Sequence, residues 1–145
     1  MIQLAHGKAR ATVDPNAGGR LVSLVVGGHE LLAGADPEPG DDPSYYSGMF
    51  PMAPFVGRLM GPRFSWRGHT YDLESSRPHF DHGTVHDGRW QTDATDQRRA
   101  SLHSPLGRVW PFPGTATLDY ALSDAALDCT LTVVATEPMP VSLGF

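Results

Sequence analysis

Apolar and polar residues alternate over short windows along most of this chain, a period-two pattern that reads as β-structure. Lys8 to Asp14 reads as a first strand. Gly19 to Val26 reads as a second; its run of Val and Leu predicts burial on both faces. Gly27-Gly28 is a two-residue hairpin signal leading into His29-Glu30-Leu31-Leu32. Phe64-Ser65-Trp66 and His69-Thr70-Tyr71-Asp72-Leu73 alternate around Arg67-Gly68, a further hairpin whose Phe64, Trp66, Tyr71 and Leu73 belong to the core. The most regular windows are Thr115 to Leu122 and Leu127 to Ala135. Ala116, Leu118, Tyr120 and Leu122 share one face of the former, and Leu127, Cys129, Leu131 and Val133 one face of the latter. A turn at Ser123-Asp124-Ala125-Ala126 makes the two a meander. Gly (16) and Pro (13) make up a fifth of the chain and leave no window long enough for an ordinary helix. The expected class is an all-β, antiparallel β-sandwich, with no internal repeat and no boundary within residues 1–145.

Composition narrows the function classes. A length of 145 residues is enough for one domain with a real core, and 40% hydrophobic against 19% charged residues suits a folded, soluble chain. The formal net charge is −5 and the basic residues are dispersed, which argues against a nucleic-acid partner, since phosphate binding needs a concentrated positive field. Cys129 is the single cysteine, so an internal disulfide and a multi-thiolate metal site are excluded; a buried strand position is expected for it. The opening MIQLAHGKARATV has neither the basic start nor the apolar core of a signal peptide, and no stretch approaches membrane-spanning length. These features predict a cytoplasmic protein without a membrane partner.

Candidate chemistry concentrates between Gly48 and Trp90, which hold four histidines, two tryptophans and a cluster of arginines, prolines and glycines. Pro54-Phe55-Val56-Gly57-Arg58-Leu59 puts a cation behind an aromatic-glycine bend. Asp81-His82-Gly83-Thr84-Val85-His86-Asp87 puts a histidine before a glycine, where the backbone can turn and present an imidazole to a pocket. His79, His82 and His86, with Asp81 and Asp87 beside them, also allow a metal reading. Their spacing suits a helix face, however, and Pro78 and Gly83 argue against a helix there. The preceding segment, Gly34 to Ser47, is acidic and proline-rich without periodicity and reads as a surface loop; as a rim of the site, it would offer Tyr45 and Tyr46 to a sugar.

In chain order, the glycine-rich Gly18-Gly19-Arg20-Leu21, the run Phe50-Pro51-Met52-Ala53-Pro54-Phe55-Val56-Gly57-Arg58-Leu59 with its following hairpin, His82-Gly83 with Trp90 behind it, Trp110-Pro111-Phe112-Pro113, and the closing Pro138 to Phe145 resemble the front half of the aldose 1-epimerase (galactose mutarotase) family. The resemblance covers the whole chain and rests on five motifs in order. It implies a partial domain over 1–145, the first half of a large two-sheet supersandwich, in a sugar isomerase that interconverts the α- and β-anomers of a hexose such as glucose or galactose.

That reaction opens a hemiacetal ring and recloses it on the other face of C1. It needs a proton acceptor at O1 and a donor at the ring oxygen, and no cofactor or metal. Histidine, with an ordinary pKa near 6.5, suits either task. By resemblance, His82 is the first of the family's two site histidines, near the ring oxygen, and Arg58 is the sugar-binding arginine. His86 stands where many relatives carry an arginine and is a candidate for the pocket rim. The resemblance places the second histidine directly after Leu143-Gly144-Phe145 and the glutamate base much further on. Residues 1–145 alone are therefore expected to be nearly inactive and, with strand edges unpaired, to self-associate. Two further readings remain open: a non-catalytic carbohydrate-binding sandwich, and a hexose-6-phosphate epimerase-like protein, for which no arginine cluster is evident.

Overall fold

The computed structural model describes residues 1–32, 47–73, 80–124 and 126–145. The loop expected over Gly34 to Ser47, apart from Ser47 itself, lies outside these residues with Tyr45 and Tyr46, and so does His79. Among the described residues there is no helix, and hence none long and apolar enough to cross a membrane.

Two four-stranded antiparallel sheets carry the fold. The first contains β1 (Ile2–His6), β2 (Ala9–Asp14), β3 (Arg20–Val26) and β4 (His29–Glu30), in that spatial order. The second contains β9 (Gln91–Thr95), β10 (Arg99–Pro105), β11 (Gly114–Leu122) and β12 (Leu127–Ala135), with β12 and β9 at its edges. Between them in sequence lie two ribbons: β5 (Arg58–Leu59) pairs with β8 (Phe80–Asp81), and β6 (Arg63–Trp66) pairs with β7 (His69–Asp72). Both hairpins turn as their residues dictate. Gly27 and Gly28 have φ of 58° and 89°, and Arg67 and Gly68 have 49° and 79°, the paired positive values that match the twist of a two-residue loop.

Leu4, Ala11, Val13 and Leu21 from the first sheet, and Leu102, Ala116, Leu118 and Tyr120 from the second, are all buried in one continuous core. The sheets are tied directly. Ala5 N–H donates to Gln97 O at 2.6 Å, and the buried Tyr120 hydroxyl donates to Gly19 O at 2.9 Å across a sequence distance of 101 residues. A second, aromatic layer joins the β6–β7 ribbon to the Trp110-Pro111-Phe112-Pro113 loop. Phe64 stacks on Trp110 at 5.1 Å between ring centres and 7° between planes, and Tyr71 and Trp66 meet Phe112 at 4.8 and 5.3 Å.

The structure departs from expectation at several strands. β3 is not buried on both faces along its length: only the consecutive Arg20 and Leu21 are buried, one on each face, and the strand is more exposed towards Val26. It runs past the end of the core. Cys129 is half-buried rather than buried, on an alternating edge strand. β1, β9 and β10 were not anticipated. Every residue of β9 is exposed, so its sequence, Gln-Thr-Asp-Ala-Thr, carries no apolar face to read.

Candidate active site

The site is assembled around Met52-Ala53-Pro54, which has a neighbouring segment on each side. On one side Met52 N–H donates to Gly144 O at 2.8 Å, and Ser142 N–H donates to Pro54 O at 2.9 Å. On the other, Ala53 forms a parallel bridge with Gly83, and Thr84 N–H donates to Ala53 O at 2.8 Å. The approach is so close that a Cβ on Gly83 would lie 1.9 Å from Ala53 O, and Gly83 itself has φ of 86°. Both facts demand glycine there.

His82, just before this glycine, has φ of 58°, a left-handed conformation uncommon for a residue with a side chain. Two contacts with Gly57 hold it. His82 N–H donates to Gly57 O at 2.8 Å, and Gly57 N–H donates to His82 Nδ1 at 3.3 Å. With Nδ1 accepting, the neutral imidazole carries its proton on Nε2, which makes Nε2 the donor. The chain next to each of these residues supplies a second link. Arg58 and Asp81 are paired in register across β5 and β8, and Arg58 Nε and Nη2 donate to Asp81 Oδ1 and Oδ2 at 2.6 and 3.2 Å. Arg58 and His82 are thus brought together by a backbone bond, an imidazole bond and a two-pronged ion pair.

Phe50 forms a wall behind the imidazole. Its ring centre lies 5.8 Å from that of His82, edge-on, and 5.9 Å from that of His86. The Arg20 guanidinium sits over the same ring at 4.6 Å and donates to Ser47 O at 2.5 Å. Arg20 is almost fully buried, a cation held by a π-face and a carbonyl. His86, expected at a rim, is also buried, at 4% exposure. It lies on a turn packed so tightly that a Cβ on Gly18 would meet His86 O at 1.7 Å. Thr84 Oγ1 donates to Leu106 O, and Trp90 Nε1 donates to Val85 O at 2.9 Å, fixing the rest of the 82–90 segment.

Of the three histidines in the metal reading, His79 lies outside the described residues; among the described residues no three His, Cys, Asp or Glu side chains gather in a way that could hold an ion. Hollows of about 680 and 430 Å³ lie elsewhere, one lined by Met1, Asn16 and Arg89 among others and the other by Thr95, Arg99 and Tyr120 among others. Neither is lined by His82, Arg58 or His86. Sequence reasoning singled out His82 and Arg58, placed Asp81 only beside the histidines of the metal reading, and gave no role to Phe50 or Arg20. Phe50 and Arg20 stood within the quoted motifs, and the clue to Asp81 was a carboxylate beside the histidine opposite a lone arginine.

Comparison with known proteins bears on the family and the fold. The profile of the aldose 1-epimerase family matches residues 1–145. No curated protein sequence matches significantly. Among solved structures, one from Escherichia coli K12, provisionally described as an aldose 1-epimerase, superposes with a TM-score of 0.79 at 24% identity, over 93% of this chain and 46% of its own. A galactose mutarotase-like protein from Lactobacillus casei ATCC 334 gives 0.78 at 20% identity, over 99% and 47%. A galactose mutarotase related enzyme from Lactobacillus acidophilus gives 0.74 at 17% identity, over 92% and 43%. The chain spans about half the length of these structures, and the likeness establishes the fold. With the family profile matched from end to end, this chain belongs to the aldose 1-epimerase family.

Proposed function

We propose that residues 1–145 form the sugar-positioning part of an aldose 1-epimerase-like domain that interconverts the anomers of a monosaccharide. The observation that carries the reading is His82, held in a left-handed turn with Nδ1 occupied by Gly57 N–H and beside the ion-paired Arg58. In this reading His82 Nε2 donates a hydrogen bond towards the ring oxygen as the C1–O5 bond opens and assists its protonation without giving up its own proton. Arg58 donates to sugar hydroxyls, and its planar guanidinium is kept in one orientation by Asp81. His86 and Phe50 back the imidazole rather than touch the sugar. The general acid and base that complete proton transfer come from residues outside this stretch, and no cofactor takes part.

Polarimetry on fresh α-glucose or α-galactose tests the reading in the intact protein. His82→Ala is expected to slow anomer interconversion by roughly 10²–10⁴-fold. Arg58→Ala is expected mainly to raise the Michaelis constant. Residues 1–145 alone should bind sugar with little turnover. Unchanged rates in both variants, or sugar binding by the intact protein with no turnover at all, would overturn the assignment.

A further inference from the structure

Ser142 meets the segment that carries the site through both its backbone and its side chain. Its N–H donates to Pro54 O at 2.9 Å, and its Oγ accepts from Val56 N–H at 2.9 Å. The two bonds bracket Phe55, which is buried and lies 5.5 Å from Trp110 between ring centres. Residues 54–56 are thereby pinned by a side chain 86 residues away from Val56. The next residue is Gly57, whose carbonyl and N–H both hold His82.

Gly57 does not set that grip by itself. It has φ of 82°, and a Cβ placed on it would meet nothing within 4 Å, so no packing on that side confines it. Peptide units are planar, so only the two dihedrals of Val56 lie between the peptide that Ser142 Oγ holds and the one whose N–H meets His82 Nδ1. That last bond, at 3.3 Å, lies just beyond the usual range of about 2.7–3.2 Å, so a small displacement of Gly57 is enough to break it. Without it the neutral imidazole loses a fixed orientation and is free to carry part of its proton on Nδ1.

We propose that Ser142 is a positioning residue: its hydroxyl, by holding Val56 N–H, sets Gly57 so that His82 presents Nε2 as its donor. This deepens the aldose 1-epimerase reading above, on which the kinetic half of the test rests.

The test substitutes this exposed position in the intact protein. Ser142→Ala and Ser142→Val remove the hydroxyl, whereas Ser142→Thr keeps it in a side chain of the same shape as valine. The first readout is the pair of ring ¹⁵N resonances of His82 at about pH 8, where an ordinary imidazole is neutral. Their loss in His82→Ala identifies them. In the wild-type protein and in Ser142→Thr the proton should sit on Nε2. In Ser142→Ala and Ser142→Val the two resonances should move towards each other as Nδ1 takes a share. The second readout is polarimetry. Removing the hydroxyl should lower kcat by roughly threefold to tenfold and leave the Michaelis constant within about twofold, because Arg58 is untouched, and Ser142→Thr should restore kcat. A serine that serves only the fold would lower the melting temperature and leave the ring nitrogens unmoved. That result, or the same resonances and rates in Ser142→Thr as in Ser142→Val, overturns the inference, and the comparison of these two keeps the test decisive if Ser142→Ala does not fold. Wild-type protein without turnover defeats the epimerase reading, while the ring nitrogens still decide the role of Ser142.

Discussion

Cys129 shows how far one residue's surroundings can be read in advance. Its place on an alternating strand was evident from the sequence, but its degree of burial was not, because that depends on what covers an edge. Partial burial, reinforced by the neighbouring Asp128 carboxylate, pushes its thiol up from 9.0 to about 11. The folded form therefore keeps its full stability below about pH 9 and loses some of it as pH rises from there through 11, where the unfolded chain ionises first. Iodoacetamide at about pH 9 should accordingly modify the native protein at least several-fold more slowly than the urea-unfolded chain. Equal rates in the two states would contradict this account. His82 was legible for a different reason: a histidine before a glycine announces a special backbone. Asp81 was not, since its partner lies 23 residues away and only the β5–β8 register brings them together.

At the scale of elements, legibility followed the strength of the period-two signal. β11 repeats an apolar residue at Ala116, Leu118, Tyr120 and Leu122, all of them buried, so sequence and structure agree there. β10 buries Ala100, Leu102 and Ser104, and two of these three are too small or too polar to announce a core face. β9 has no buried side at all and is held through pairing with β10. Leu118 shows what the strong signal is worth. It is fully buried, and a Cβ on Gly19 would come within 3.0 Å of its Cδ2, so it fills the junction between the two sheets. Leu118→Ala is expected to cost about 2–5 kcal/mol in urea denaturation, since closely opposed sheets cannot collapse into the gap. A loss under about 1 kcal/mol would mean that the sheets move more freely than this packing implies.

For the molecule as a whole, the edges carry the remaining consequence. β12 is nine residues long and pairs with β11 along its full length, and among the described residues no strand pairs with its other side. It has one charged residue, Asp128, no proline, and Val134 exposed at 61%. Such an edge is a template for another strand, so residues 1–145 in isolation should self-associate. Val134→Lys should shift the sedimenting species towards monomer with stability nearly unchanged, and an isolated chain that is already monomeric at high concentration would rule this out. The all-β class was legible because hairpin glycines and alternation recur along the chain; the joining of distant segments was not, because no local pattern encodes it. The clearest such joining is at Met52-Ala53-Pro54, between Gly83-Thr84 and Ser142-Gly144. Those flanking segments do not leave the ribosome together. At roughly 5–20 residues per second, several seconds separate the emergence of His82 from that of Gly144. Throughout that interval the turn bearing His82 leans on a segment supported from one side only, so this junction can mature only after Gly144 has emerged.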